Sequence, residues 1–439
     1  MCRRVLYIAY EYPPVGGAGV QRTTKFVKYL PQFGWLPSVL TVANPSVPLF
    51  DRSLTSEVPE QTVVRRARTW EPGHALKTTL VGNASGPSSL PGRALGLARK
   101  FARRLAGAAL QPDTRILWMP GALRAGEQLL RASPHRAIVV SGPPYSSFLI
   151  GAALSRRAGL PLVLDYRDEW DISNAYWEHK RLGPFSRRIQ TVMQHRVART
   201  ARVLVATTRS SAQALEHVRA RAGSRAKVTW IYNGFDPDDF ASPLPPAKNN
   251  QGVYRLAYVG TLWNLTSVAP LVEGVLGLCR HRPDLAARLE LVFVGRRMPA
   301  QQQILDRLHG LPCRLMEYPY LDHRAALDLI RTADGLCVLL SDLPGAERVV
   351  PAKIFEYMAT KRPILAIAPR GEVWDILGSY PVVHLCVPTD TGAIARCLTG
   401  EVERHRIGGR LSFDGWDDSS FDRRQQARQL ASLLDSLAA

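Results

Sequence analysis

The sequence predicts an α/β protein of two Rossmann-like, doubly wound domains that face a central cleft. Its 439 residues are enough for two domains that each bury a core of their own. Short apolar runs, expected to be strands, alternate with amphipathic segments, expected to be helices, as in parallel sheets covered by helices. The alternation stops at residues 233–252, which are polar and proline-rich, and then starts again.

The first half of the chain shows this alternation clearly. Residues 70–92 are rich in Gly, Pro and Ser and are expected to form a loop. We place strands at Val5–Ala9, Ser38–Val42, Ala137–Ser141, Pro161–Asp165, Val203–Ala206 and Val228–Tyr232. We place helices at Val20–Phe33, Ser146–Arg156 and Ser210–Arg221.

The second half repeats the pattern and ends in a helix at Ser419–Leu437, which is expected to return to the first domain. Strands are predicted at Tyr254–Val259, Leu289–Val294, Arg314–Glu317, Gly335–Leu339, Pro363–Ile367 and Val382–Cys386. The resulting division is an N-terminal domain at 1–235, a linker at 236–252, a C-terminal domain at 253–415 and a C-terminal helix at 416–439.

The chain is strongly basic, with 57 Lys and Arg against 37 Asp and Glu and a formal net charge of +20. Such an excess favours anionic partners, but no nucleic-acid-binding module is recognisable. Five basic residues within 93–104 fill one arc of a helical wheel, with apolar side chains opposite. Residues 93–105 are therefore expected to form either a helix that lies on an acidic membrane surface or a solvated outer helix.

The six cysteines are scattered and form no CxxC pair, so we expect reduced core thiols and neither disulfides nor zinc. No apolar run approaches the length needed to span a bilayer, and the opening strand is too short and polar for a signal sequence. These features predict a cytoplasmic protein, with a peripheral position on the inner face of the membrane if the basic helix docks there.

Three glycines, Gly16, Gly17 and Gly19, follow the first predicted strand. Glycines let the backbone approach a ligand closely, and their N–H groups can face an anion. The GxGxxG spacing of a dinucleotide site is absent, as is a P-loop lysine. Both a ligand-binding loop and a structural turn are compatible with this pattern.

Charged residues also follow the apolar strand at 161–165, in LVLDYRDEWD (162–171). Arg167 is a candidate for bidentate contact with a phosphate or an acceptor carboxylate. Asp168 is a candidate for orienting a sugar hydroxyl or accepting its proton. The alternative is an internal Asp–Arg network whose charges satisfy one another.

Residues 345–366 are the most informative segment. Lys353 and Glu356 share one face of a predicted helix that precedes a buried strand, and Glu347 lies just before it. A cation for phosphate beside a carboxylate for hydroxyls suits a sugar nucleotide, whereas the alternative is an ordinary surface ion pair. In LVFVGRR (291–297), Arg296 follows a further strand and is a candidate to neutralise a diphosphate.

These motifs resemble those of the GT-B glycosyltransferases, in particular the large retaining group, family 4-like, that assembles bacterial polysaccharides and lipid-linked sugars. PAKIFEYMATKRPILA (351–366) is similar to the donor-binding helix of that group and is the most specific match. The other matches are EYPPVGGAGVQR (11–22) to its glycine loop, IYNGFD (231–236) to its hinge, and YVGTL (258–262) and FVGR (293–296) to two strand ends of its donor domain.

The resemblance implies roles for individual residues. Glu356 would hold the ribose, and Lys353 and Arg296 would lie near the diphosphate. Gly260 would lie at the first strand end of the donor site, and Tyr318, within Met316–Tyr320, near the base.

Three departures from the family pattern affect these assignments. Glu347 and Glu356 enclose eight residues where the paired glutamates of the family usually enclose seven. The loop after YVGTL lacks the arginine and lysine often found there. Asp168 or Arg167 stands where the family often has a histidine.

The predicted function is retaining transfer of a sugar from a UDP- or GDP-sugar to a hydroxyl of a glycan or lipid-linked acceptor, in cell-surface polysaccharide or glycoconjugate synthesis. No cofactor or metal is expected, because DPD (236–238) lies in the hinge and favours a linker turn over a metal site. One alternative is a nucleotide-sugar epimerase of the same architecture, which would need acid and base residues that the sequence does not clearly supply. The other is a non-catalytic basic scaffold that binds membrane or nucleic acid.

Overall fold

The computed structural model describes residues 3–47, 49–73, 110–172, 183–241 and 252–438. The predicted basic helix at 93–105 and residues 242–251 of the predicted linker lie outside the described residues. The chain divides into two compact units, an N-terminal unit of residues 1–232 with 427–439 and a C-terminal unit of residues 233–426. Within the described part, no helix is both long and apolar enough to cross a membrane.

The N-terminal unit is built on a parallel sheet of seven strands in the order β3-β2-β1-β4-β5-β6-β7. The strands are β1 (Arg3–Ile8), β2 (Trp35–Val42), β3 (Val63–Ala67), β4 (His135–Gly142), β5 (Leu162–Tyr166), β6 (Val203–Ala206) and β7 (Lys227–Trp230). Its helices are α1 (Ala18–Tyr29), α2 (Met119–Ala132), α3 (Ser146–Ala158), α4 (Pro184–Thr200) and α5 (Arg209–Ala222).

The strand β1 shows why this sheet is covered on both faces. Successive side chains of a strand point to opposite faces, and all four residues from Val5 to Ile8 are fully buried. Leu6 and Ile8 pack in one apolar cluster, and Val5 and Tyr7 pack in another. The C-terminal helix, α13 (Arg423–Ala438), adds four buried residues to the second cluster, namely Ala427, Leu430, Ala431 and Leu434.

The C-terminal unit contains a parallel sheet of six strands in the order β10-β9-β8-β11-β12-β13. The strands are β8 (Tyr254–Val259), β9 (Leu289–Val294), β10 (Arg314–Tyr318), β11 (Gly335–Leu339), β12 (Ile364–Ile367) and β13 (Val383–Cys386). The helices are α6 (Ala269–His281), α7 (Pro283–Ala286), α8 (Pro299–Leu305), α9 (His323–Thr332), α10 (Lys353–Ala359), α11 (Glu372–Leu377) and α12 (Thr391–Arg406).

The predicted α/β class with two parallel-sheet units is confirmed, as is the return of the C-terminal helix to the N-terminal unit. Several elements were not placed from the sequence, among them the strand β3, the helices α2 and α4, and the helices α6 to α9, α11 and α12 of the C-terminal unit. The strand β3 carries two arginines and an exposed Val63, because it lies at the sheet edge and needs no apolar run. The helix α2 contains Gly121 and Gly126, which favour a loop in sequence, but a Cβ at Gly126 would lie 2.5 Å from Leu154 of α3. Glycine at 126 therefore permits close helix packing.

The strand order reverses at one place in each sheet, between β1 and β4 and between β8 and β11. Ligands of open α/β sheets bind beyond the carboxyl ends of the strands at such a switch point. The loops that follow these strands are therefore the first places in which to examine the predicted site residues.

The hinge motif continues into a capped turn. The Asp236 carboxylate accepts a hydrogen bond from the Asp238 N–H at 3.0 Å and caps the short 3-10 helix Pro237–Phe240. The DPD segment thus forms a turn in the C-terminal unit.

A buried ion pair ties α1 to the sheet of the N-terminal unit. The Arg22 guanidinium donates to the Asp165 carboxylate at 2.9–3.1 Å, and the two side chains are 2% and 3% exposed. Arg22 also donates to the Tyr232 carbonyl at 3.0 Å. The internal network considered for this motif therefore forms at Asp165, with an arginine 143 positions away.

We expect Asp165→Asn to lower the free energy of unfolding by about 3–5 kcal/mol, because it leaves a buried guanidinium without its counter-charge. Denaturant unfolding followed by tryptophan fluorescence measures this loss. The matched control is Glu127→Gln, which breaks the ion pair of Glu127 with Arg157, whose side chains are 31% and 55% exposed. This substitution should lower the free energy of unfolding by less than about 1 kcal/mol. Equal losses in both variants would contradict the prediction.

Candidate functional site

In the C-terminal unit, the Lys353 side chain reaches the end of β8. Its Nζ lies 3.7 Å from the centre of the Tyr258 ring, a cation–π contact. A Cβ at Gly260 would lie 2.5 Å from the same Nζ, and the φ of Gly260 is +148°, which L side chains rarely adopt. Glycine at 260 thus leaves room for the ammonium beside the switch point of the sheet.

The protonation of Lys353 reflects this half-buried position. Burial lowers the pKa of Lys353 to about 7, although Cys337 and Glu356 act in the opposite direction. The amine therefore changes charge near neutral pH. An anion placed beside it would favour the charged form.

Helix α10 holds Lys353 and Glu356 in a fixed relation to β8. The Tyr357 hydroxyl accepts a hydrogen bond from the Val259 N–H at 3.0 Å, so the helix is fastened to the last residue of the strand. Glu356 is half-buried, lies three positions after Lys353 and is close enough to influence its pKa. The predicted pair of a cation and a carboxylate therefore lies together at this strand end.

Glu347 has a different environment. Its side chain is exposed and pairs with the adjacent Arg348 at 3.0 Å. Its carbonyl oxygen would collide with a Cβ at Gly371, so there is no room for a side chain at that position. The backbone at Glu347 is thus closely packed, whereas its carboxylate is at the surface.

The two arginines after β9 differ in their contacts. Arg297 donates to the Tyr318 carbonyl at 2.9 Å and pairs with Glu317 at 3.2 Å, so it fastens the loop to β10. Arg296 is exposed, and no side-chain hydrogen bond or ion pair of it occurs within the described residues. Arg296 is therefore the arginine that remains available to a ligand.

The loops after β8, β9 and β10 lie side by side. The Gly260 N–H donates to the Val294 carbonyl at 2.8 Å, and the Gly295 N–H donates to the Tyr318 carbonyl at 3.2 Å. Gly295, with a φ of +123°, packs against the Gly260 carbonyl. Gly260 and Tyr318 are thus linked through Gly295, and the Tyr318 side chain is 37% exposed.

In the N-terminal unit, Arg167 fastens segments of backbone to one another. Its guanidinium donates to the carbonyls of Gly19 and Pro143. A Cβ at Gly19 would lie 2.5 Å from Arg167 Nη1. Gly19 therefore makes room for an arginine of the protein itself.

The other two glycines of the loop have separate roles. The Gly16 N–H donates to the Leu49 carbonyl at 3.1 Å, so it is used within the unit. Gly17 precedes α1 with a φ of +104°, and no atom lies within 4 Å of the position that its Cβ would occupy. The open side of the loop is thus at Gly17.

Asp168 is a half-buried carboxyl group next to Arg167. Burial raises the pKa of Asp168, and Arg167 acts against this effect. Two further carboxylates, Glu11 and Glu169, raise the pKa as well. No hydrogen bond to the Asp168 carboxylate occurs within the described residues, so it is available to a hydroxyl.

Comparison with known proteins places these features in a family. HepE of Anabaena, solved with UDP and with UDP-glucose, shares the fold: in the UDP complex the TM-score is 0.59 at 16% identity, and the alignment covers 99% of this chain and 100% of HepE. WaaG, a glycosyltransferase involved in lipopolysaccharide biosynthesis, has a TM-score of 0.58 at 13% identity, with 98% of this chain and 99% of WaaG covered. OtsA, in an apo structure, has a TM-score of 0.59 at 15% identity, with the same coverage of 98% and 99%.

These identities establish the fold alone. The sequence itself matches the family described as "Glycosyl transferase 4-like domain" over residues 17–234. Residues 17–234 therefore form a glycosyltransferase 4-like domain. No curated protein matches it in sequence. The family resemblance inferred from the motifs is thereby confirmed.

Sequence reasoning missed two side chains at these strand ends. Glu11 follows β1 at the switch point and lies beside Gly19 and Asp168. Its position after a strand was a usable signal, because charged residues after other strands were singled out on that ground. Tyr258 provides the ring under Lys353, and nothing in the sequence relates these residues, which are 95 positions apart.

We expect Lys353 to titrate with a midpoint near pH 7 in the ligand-free protein, charged below it and neutral above, because burial disfavours the ammonium. Nuclear magnetic resonance of lysine labelled at the ε carbon follows this titration. The Lys353→Arg variant assigns the signal. A midpoint for Lys353 near pH 10, the ordinary value of a lysine side chain, would refute the prediction.

Proposed function

We propose that this family member transfers a sugar from a nucleotide-diphosphate donor to a hydroxyl of a glycan or lipid-linked acceptor. The single observation that carries the proposal is the position of the Lys353 ammonium at Gly260, beyond the carboxyl end of β8, with Glu356 on the same short helix. A cation that loses part of its hydration on burial gains most from a polyanion, and a diphosphate is one.

The contacts of the C-terminal unit support the donor roles that we propose. Lys353 and Arg296 bind the diphosphate, the first from a half-buried position and the second from the exposed loop after β9. Glu356 accepts hydrogen bonds from the ribose hydroxyls, and Tyr318 lies near the base. Glu347 contributes through its backbone, whose carbonyl is closely packed against Gly371.

The acceptor role falls to the N-terminal unit. Asp168 receives a hydrogen bond from the acceptor hydroxyl, and its raised pKa suits a group that orients this hydroxyl more than one that fully removes its proton. Arg167 positions the loop of Gly19 and moderates the charge of Asp168. Gly17 supplies the open side of this loop.

Retention of configuration fits this distribution of groups. Charge that develops on the departing diphosphate is stabilised by Lys353 and Arg296, and a phosphate oxygen accepts the acceptor proton on the same face of the sugar. This scheme needs no strong protein base and no metal. A UDP-sugar is the first donor to test, which the UDP-glucose complex of HepE supports, and a GDP-sugar is the second.

The biological setting that we propose is cell-surface polysaccharide or glycoconjugate synthesis on the cytoplasmic side of the membrane. The part that WaaG plays in lipopolysaccharide biosynthesis supports this setting. Contact with acidic lipid is assigned to residues 93–105 on the basis of their sequence pattern.

We expect one of UDP, GDP and ADP to raise the melting temperature of the protein. Glu356→Gln should weaken its binding about tenfold, roughly 1.4 kcal/mol, because a hydrogen-bonded carboxylate is lost. The matched control is Asp328→Asn, which removes an exposed carboxylate on α9 and should bind like the wild type. Glu356→Ala should abolish sugar transfer without unfolding the protein.

Other results of the same experiment would support other functions. Stabilisation by DNA or acidic vesicles alone would favour a basic scaffold. Nucleotide binding accompanied by epimerised free donor, with no transfer to any acceptor, would favour an epimerase.

Sugar transfer should persist in excess chelator, because the proposed leaving-group contacts are side-chain cations. The assay compares product formation with EDTA against formation with added magnesium or manganese. Activity lost in chelator and restored by either ion would overturn the metal-free scheme.

A further inference from the structure

Two cysteines of the C-terminal unit lie in contact with each other. Neither is among the proposed donor residues. Cys386 ends β13, and Cys397 lies in the second turn of α12. Their sulfur atoms are 3.7 Å apart, in contact but well beyond the ~2.05 Å of a disulfide, and both are free thiols. Cys386 is buried and Cys397 is half-buried, so Cys397 is the thiol that a small solute reaches first.

A histidine joins the two thiols to a carboxylate. His384 lies two positions before Cys386, on the same face of β13. Its Nε2 lies 2.8 Å from Glu401 Oε1, and the ring is close enough to Cys397 for each group to shift the pKa of the other. Glu401 follows Cys397 by one helical turn and is held in turn by Arg404.

The charges of this cluster favour a thiolate at Cys397. Hydrogen bonds with Cys397 and Glu401 raise the pKa of His384 to about 9, so its imidazole is charged at neutral pH. Hydrogen bonds from Cys386 and His384 lower the pKa of Cys397 to about 5, and nearby Arg396 acts in the same direction. Cys386 differs, because its hydrogen bond with Cys397 and its burial raise its pKa.

We propose that Cys397 and Cys386 form a peroxide-sensitive thiol pair, in which Cys397 is oxidised first and Cys386 then closes a disulfide. This site is independent of the proposed sugar transfer. A thiolate beside a histidine, partly exposed and next to a second thiol, has the features of redox-sensitive cysteines.

The reaction balances with hydrogen peroxide as the oxidant. The Cys397 thiolate attacks one oxygen, an S–O bond forms, the O–O bond breaks, and the departing hydroxide takes a proton to become water. The Cys386 sulfur then attacks the sulfenic sulfur of Cys397, an S–S bond forms and the S–O bond breaks. The departing hydroxide takes the Cys386 proton, so two thiols and one peroxide give one disulfide and two waters.

The same unit contains a natural control pair. Cys279 on α6 is close enough to buried Cys313 for the two thiols to influence each other's pKa. Burial raises the pKa of both thiols, that of Cys313 to about 12, so both stay protonated at neutral pH. Proximity without a charged histidine should therefore give slow oxidation.

The experiment exposes the whole protein to a small excess of hydrogen peroxide at pH 7, alkylates the remaining thiols and digests with trypsin. Trypsin cuts after Arg396, so the two cysteines fall in separate peptides, 371–396 and 397–404. We expect these peptides to become disulfide-linked at least tenfold faster than Cys279 is oxidised. Oxidation of Cys279 is measured as the loss of its alkylated form. Equal rates for the two pairs, or no link between the two peptides, would overturn the proposal.

Three variants test the order of the steps. Cys386→Ser should accumulate a sulfenic acid at Cys397 that dimedone traps, and Cys397→Ser should leave Cys386 reduced. His384→Asn should slow oxidation of Cys397 at least tenfold, with circular dichroism confirming the fold. Absence of the dimedone adduct in Cys386→Ser would refute the assignment of Cys397 as the thiol that is oxidised first. The comparison of the two cysteine pairs uses the wild-type protein and therefore does not depend on the folding of any variant.

Discussion

The C-terminal unit depends on one constrained contact, that of the Lys353 ammonium with the Tyr258 ring and the bare backbone of Gly260. Burial disfavours the charge, and the aromatic ring offers only partial compensation. Gly260 must lack a side chain, Gly295 must lie against it, and Tyr357 must fasten the helix to β8. Each of these local features has its physical reason in the position of one amine.

The N-terminal unit places charge of the opposite sign at its own strand ends. Glu11 and Asp168 bring carboxylates together, and Arg167 offsets them while it is hydrogen-bonded to backbone carbonyls. An arginine whose guanidinium is already hydrogen-bonded to backbone carbonyls is better suited to fixing a loop than to binding an anion. The two units therefore differ in chemistry, which supports the proposed division into a donor site in one and an acceptor site in the other.

The sequence was most predictive where local patterns decide the structure. The strands β6, β9 and β11 were predicted to the residue, because fully buried parallel strands read as short, mostly apolar runs. Lys353 and Glu356 were recognised from helical spacing. Arg22 was not recognised as the partner of Asp165, because a buried pair 143 positions apart leaves no local signal in the sequence. The thiol cluster was missed for the same reason, since it requires β13 and α12 to meet.

The return of α13 to the N-terminal unit has a practical meaning for anyone who wishes to study the halves of this protein separately. A fragment that stops at residue 232 lacks Leu430 and Leu434, which are almost fully buried beside Val5 and Tyr7. Such a fragment would expose an apolar surface to water and would be prone to aggregation. To obtain the N-terminal unit alone in soluble form, residues 427–439 should be fused directly behind residue 232.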